Sequence, residues 1–132
     1  VKDPAEPSRF LGVLTAADTF VVTSGIYERG FEENGVRYHH ILDPKTGRPA
    51  ESGLVSVTVV CTDGVWADAL STACFVLGEE KSLALRETLA AEKGSRIELI
   101  FVTDDGRVRY TDGLSGRFAP SEEGEYRYEV IA

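Results

Sequence analysis

Leu54-Val55-Ser56-Val57-Thr58-Val59-Val60-Cys61-Thr62, followed by Val65-Trp66-Ala67-Asp68-Ala69-Leu70-Ser71-Thr72-Ala73-Cys74-Phe75-Val76-Leu77, is the stretch on which the fold turns. The first run is β-branched and alternates, with Val55, Val57 and Val59 on one face, which predicts a strand. The second is apolar and of helix length; Asp63 or Thr62 can cap its start and Gly78 ends it. A second helix is predicted over residues 79–93, rich in Ala, Leu, Glu and Lys, with Leu83, Leu85 and Leu89 as its apolar side and Gly94 as its stop. C-terminal to these helices, residues 96–103 read as a strand, Asp104-Asp105-Gly106 as a turn, 107–111 as its hairpin mate and 126–131 as a last strand. On the N-terminal side, 10–15 and 20–24 are short strands with a turn at 16–19. Residues 27–32 and 36–42 flank Glu33-Asn34-Gly35, a hairpin signal because Asn and Gly both accept positive φ. Asp43–Pro49 is dense turn chemistry, and residues 1–9, with Pro4 and Pro7, read as an irregular or edge segment. Strands, then two adjacent helices, then strands predict an α+β layer: an antiparallel sheet with helices packed on one face.

The chain has 132 residues, 42% of them hydrophobic, and a formal net charge of −8. That length suits one domain or a large part of one, with enough apolar content for a core. The acidic balance argues against nucleic acid as a partner, since like charges repel a phosphate backbone. No apolar run approaches the ~20 residues of a membrane-spanning helix. The chain starts at Val1 and contains no Met, so it is expected to be a processed product or a segment of something longer. Cys61 and Cys74 have no metal or redox spacing; they read as buried thiols, with a disulfide as the alternative.

Ten of the thirteen residues at 65–77 are apolar or Ala; the others are Asp68, Ser71 and Thr72. Their i, i+3, i+4 spacing puts all three on one helix face. Trp66, Leu70, Ala73 and Leu77 form a separate stripe, expected to be the core side. In a helix this apolar, Asp68 is expected to be buried, and a buried carboxylate is costly unless it is paired or binds a cation. Three side-chain oxygens suit a hard cation such as Mg²⁺. The alternative makes Asp68 a helix-dipole partner, with Ser71 and Thr72 bonding back to the helix. His39 and His40 end a predicted strand and point to opposite faces, so they cannot both serve one site directly; one of them can face a cleft as a general base, or the pair is solvated or satisfied in the core. Lys45 and Arg48 can reach an anion or simply be solvated, and Thr23-Ser24-Gly25 can offer a hydroxyl or bare amides to a ligand or be a plain turn. The acidic stretch 121–125 reads as a solvated loop.

The order of these stretches says more than any one of them. Val22-Thr23-Ser24-Gly25-Ile26-Tyr27-Glu28-Arg29, then His39-His40-Ile41-Leu42-Asp43-Pro44-Lys45-Thr46-Gly47-Arg48-Pro49-Ala50, then Ser56–Val60, then Ala67-Asp68-Ala69-Leu70-Ser71-Thr72-Ala73, resembles the C-terminal half of the ApbE family. These are FAD:protein FMN transferases, once called thiamine biosynthesis lipoproteins. The resemblance runs from about Phe10 to Phe101. It implies a T-fold-related α+β domain of which residues 1–132 are a C-terminal fragment. It implies Mg²⁺-dependent transfer of FMN from FAD to a Thr or Ser hydroxyl of a flavoprotein subunit of a redox complex, with AMP released. It implies Asp68, Ser71 and Thr72 at the metal, His40 as the catalytic histidine, and His40, Ile41 and Ser71 against the flavin nucleotide. Ser71 stands where some members carry a second acid, and Ile26 where many carry Asp. The resemblance also implies an N-terminal half supplying much of the FAD pocket, so that the segment alone is expected to be inactive. It points to the cell envelope, on the periplasmic or extracytoplasmic face. The same residues would serve Mg²⁺-dependent hydrolysis of FAD to FMN and AMP, or a flavin-binding module without turnover.

Overall fold

The computed structural model describes residues 1–27 and 30–132, and of Arg37 the backbone alone. Glu28 and Arg29, part of an expected strand and motif, lie outside the described residues. The elements are β1 (Gly12–Leu14), β2 (Phe20–Gly25), β3 (Gly30–Glu33), β4 (Val36–His39), β5 (Leu54–Cys61), α1 (Gly64–Leu77), α2 (Glu79–Lys93), β6 (Ile97–Thr103), β7 (Arg107–Thr111), β8 (Phe118–Pro120) and β9 (Arg127–Ile131). A single 3₁₀ turn at Asp112–Leu114 follows β7.

β2, β5, β6, β7 and β9 form one five-stranded sheet in that order. β5 and β6 lie at its centre: seven of the eight residues of β5, all but Val55, and all seven of β6 are buried, because both runs are largely apolar on both faces. This is the signature of a strand covered from two sides. On one side Val57, Val59, Leu99 and Phe101 pack against Ala67, Leu70, Cys74 and Phe75 of α1 and Leu89 of α2. On the other, Val60, Ile100, Val102, Val108 and Tyr110 pack under Leu11, Leu114 and Phe118. The N-terminal segment is tied to this second side: buried Asp3 accepts hydrogen bonds from the Ala5 and Glu6 amides and from the Tyr126 hydroxyl. Burial, and then the Asp3 carboxylate, hold the Tyr126 phenol well above its ordinary pKa. On the helix side, Glu98 is buried and receives Arg86 at 2.9 Å and Thr111 Oγ1 at 2.5 Å, which fastens α2 to β6 and β7.

The α+β layer and the helices on one face agree with the sequence reading. Several details do not. The sheet is mixed, because β9 runs parallel to β7 after the chain has crossed by way of β8. β1 and β2, read as short strands with a turn between them, do not pair with each other: β1 pairs with β8 and β2 with β5, so the segment between them joins two sheets. Val55 does not share a face with Val57 and Val59. The β5–β6 register shifts between Leu54 and Ser56, and that irregularity reverses the alternation, sending Leu54 to the helix side and Val55 to the other. The expected core stripe of α1 is also rotated. Trp66 and Leu77 are each 40% exposed, and the buried residues are Ala67, Leu70, Ser71, Cys74 and Phe75. Both stripes have helical spacing, and only the packing against β5 and β2 selects between them. The Asn34-Gly35 hairpin forms as expected, with φ of 52° and 76° at its two turn residues. Cys61 and Cys74 are buried free thiols, and burial pushes the Cys74 thiol up.

Candidate functional site

Asp63 starts α1 by accepting from the amides of Val65 and Trp66, and Gly78 ends it. The helix lies on β2 and β5 with Phe75 fully buried at their junction. This orientation turns Asp68 and Thr72 outward, so the expectation of a buried Asp68 is corrected: both residues are exposed. They stand four residues apart, one above the other on the helix surface. Among the described residues, the Asp68 carboxylate has no hydrogen bond or ion pair.

Ser71 is placed differently from its two neighbours in the motif. It is completely buried, and its hydroxyl donates to the Asp68 carbonyl at 2.9 Å. Ser24, at the end of β2, lies 2.7 Å from Ser71 Oγ and 3.3 Å from Thr72 Oγ1. The fold therefore joins Thr23-Ser24-Gly25 to the helix motif, an association that nothing in the sequence near either stretch encodes. The hydroxyl option for this stretch was visible in the sequence, but its partners were not.

The two histidines separate cleanly. His39 sits between carbonyl and amide: Nε2 is 3.0 Å from the Ala50 carbonyl and Nδ1 accepts from the Ile41 amide at 3.3 Å. A carbonyl can only accept and an amide can only donate, so the ring is neutral with its proton on Nε2. Its edge meets Phe75 with centroids 5.4 Å apart. His39 thus clamps the end of β4 to α1, one turn beyond Thr72. His40, the residue after β4, is exposed. Ile41 is 3% exposed and lies in the core beneath the helices; its carbonyl accepts from the Ala50 amide. The turn that follows closes on Asp43, whose carbonyl accepts from Thr46 and Gly47 and whose carboxylate accepts from the Lys45 amide at 2.8 Å.

Among the described residues, no three His, Cys, Asp or Glu side chains gather closely enough to hold a metal by themselves. The donor set still fits one cation. Mg²⁺ is commonly held by one or two carboxylates and completes its shell with water and substrate phosphates. An exposed carboxylate beside an exposed hydroxyl is such a partial set, and it is made of hard oxygen donors alone.

Two helices on a mixed five-stranded sheet, with a carboxylate and a hydroxyl on the exposed face of α1, define an α+β domain. The chain belongs to the ApbE family, whose model matches residues 1–96. It is 48% identical over 105 residues to the FAD:protein FMN transferase of Treponema pallidum, covering 80% of this chain and 28% of that protein. It is 41% identical over 127 residues to the FAD:protein FMN transferase of Klebsiella pneumoniae, covering 96% of this chain and 38% of that protein. Among solved structures, the ApbE protein of Thermotoga maritima superposes with a TM-score of 0.73 at 37% identity, covering 88% of this chain and 36% of that one. The chain spans about a third of the length of these relatives.

Proposed function

We propose that this chain is the C-terminal portion of an FAD:protein FMN transferase, which moves FMN from FAD onto a Thr or Ser hydroxyl of a target flavoprotein. The observation that carries the reading is the 48% identity to a protein of that name in Treponema pallidum. In the reaction, the acceptor oxygen forms a bond to the FMN phosphorus, the bond from that phosphorus to the bridging oxygen breaks, and AMP leaves with the bridging oxygen. The acceptor proton goes to a base. His40 is exposed and stands at a strand end held in place by His39, which supports it in that role. Asp68 and Thr72 would hold Mg²⁺, which supplies charge neutralisation at the pyrophosphate. Ser71 supports them from within and is not an outward ligand in this reading. A flavoprotein subunit of a redox complex as acceptor, and a place in the cell envelope, rest on the resemblance alone. No helix among the described residues is long and apolar enough to cross a membrane.

The test is the intact mass of an acceptor domain after incubation with FAD and Mg²⁺. It is run with the 132-residue chain and with a chimera in which this chain replaces the matching part of the Klebsiella pneumoniae transferase. FMN added by the chimera alone supports the transferase and a site completed by the remaining two thirds. FAD split to FMN and AMP without a mass gain replaces the transferase with a hydrolase. FAD recovered intact and bound leaves a flavin-binding module. In an active chimera, His40→Ala is expected to slow transfer more than it weakens FAD binding; equal losses make His40 a binding residue.

A further inference from the structure

Thr72, Ser24, Ser71 and the Asp68 carbonyl form a continuous line of oxygens across the junction of β2 and α1, bridging 47 and 48 residues of sequence. Each hydroxyl owns one proton, and a carbonyl owns none. The 2.9 Å contact of Ser71 Oγ with the Asp68 carbonyl can be made only by the Ser71 proton. Ser71 is fully buried, so water does not compete for it. With the Ser71 proton on that carbonyl, Ser24 is the donor in the 2.7 Å contact between Ser24 and Ser71. With its proton used, Ser24 can meet Thr72 at 3.3 Å only as an acceptor. The Thr72 proton turns inward, and the free lone pair of Thr72 Oγ1 turns outward on the exposed face that carries the Asp68 carboxylate.

We propose that Ser24 is a positioning residue that sets the polarity of this hydroxyl line and so presents Thr72 as a pure acceptor for a hard divalent cation shared with Asp68. The inference rests on the metal reading given above. In this line the fully buried Ser71 relays the direction of the Asp68 carbonyl to Ser24. The direction would be lost if any link were removed. Without Ser24, the Thr72 proton has no inward partner among the described residues. Without Ser71, Ser24 turns its own proton onto Thr72 and occupies the lone pair.

The experiment titrates Mn²⁺, in place of Mg²⁺, into the Klebsiella pneumoniae chimera described above with FAD bound. Binding is read from the Mn²⁺ electron-spin resonance signal and from broadening of the Thr72 methyl resonance. Asp68→Asn tests the metal site itself, and Thr23→Val removes a neighbouring hydroxyl pair, 2.8 Å from Thr58, as a control on the same strand. One ordinary hydrogen bond corresponds to about a fivefold change in a binding constant. Ser24→Ala and Ser71→Ala are each expected to weaken Mn²⁺ binding by about that factor, with Thr23→Val unchanged. Binding that is lost in Asp68→Asn but unaltered in both serine variants overturns the role of Ser24 and leaves the metal site standing. An equal loss in Thr23→Val reduces the effect to strand stability and also overturns it. Binding that ignores Asp68→Asn, or no binding in the FAD-bound chimera, overturns the metal reading and the inference with it.

Discussion

The two helices follow one another with only Gly78 between them, yet they are built on different terms. α2 obeys local rules throughout: Glu79 and Glu80 in its first turn, Lys93 in its last, and Gly94 in the left-handed region as its stop. Those charges complement the helix dipole, and the helix buries only Ser82 and Leu89 completely. α1 has no acid in its first turn and no base in its last, and it exposes Val65, Trp66 and Leu77. Its order comes from one side-chain cap and from five buried residues facing the sheet. α2 is a support whose own sequence stabilises it. α1 depends on the sheet beneath it, and its outward face is thereby released to carry Asp68 and Thr72.

The sharpest way to break this contrast is Phe75→Ala. Phe75 is fully buried where α1, β5 and His39 meet, and its loss is expected to destabilise the fold by about 3–5 kcal/mol. Leu83→Ala on α2, only partly buried, is expected to cost clearly less in the same urea titration. Gly78→Ala comes next. Its φ of 82° and ψ of 172° belong to a region that only glycine occupies readily, so a side chain there is expected to cost about 1–3 kcal/mol and to loosen both helices together. Amide exchange that rises in α1 alone would show that the helices do not share this joint. Asp63→Ala removes the cap of α1 and is expected to cost about 1 kcal/mol, seen as faster exchange at Val65 and Trp66 with α2 unaffected. Asp68→Asn is expected to leave the melting temperature where it is, since the carboxylate is exposed and has no partner among the described residues. A marked shift in either direction would mean that Asp68 serves the fold and not the site.

Much of the local architecture was legible. Both helices, the Asn34-Gly35 turn and the long strands β5 and β6 were placed within a residue or two, because each is signalled by residues close in sequence. β8 was missed: three residues, Phe-Ala-Pro, carry no periodic pattern, and their strand geometry comes from pairing with β1. Of the residues proposed for the site, His40, Asp68 and Thr72 are exposed on the structure. Ser71 and Ile41 read as members of the same site, yet both are buried, because the rotation of α1 and the path of the chain after His39 carry them inward.

The sequence by itself determined where helices start and stop, where the chain turns, and which residues can offer oxygens or an imidazole. These follow from backbone preferences and capping groups that act over a few residues. Only the tertiary structure decided which side of α1 is buried, since two stripes of equal spacing compete and the choice depends on fit against Val57, Val59 and Phe101. It alone made β9 parallel to β7, and it alone brought Ser24 within 2.7 Å of Ser71. A contact between residues 47 apart is set by strand pairing and helix docking, which no local pattern in either segment contains.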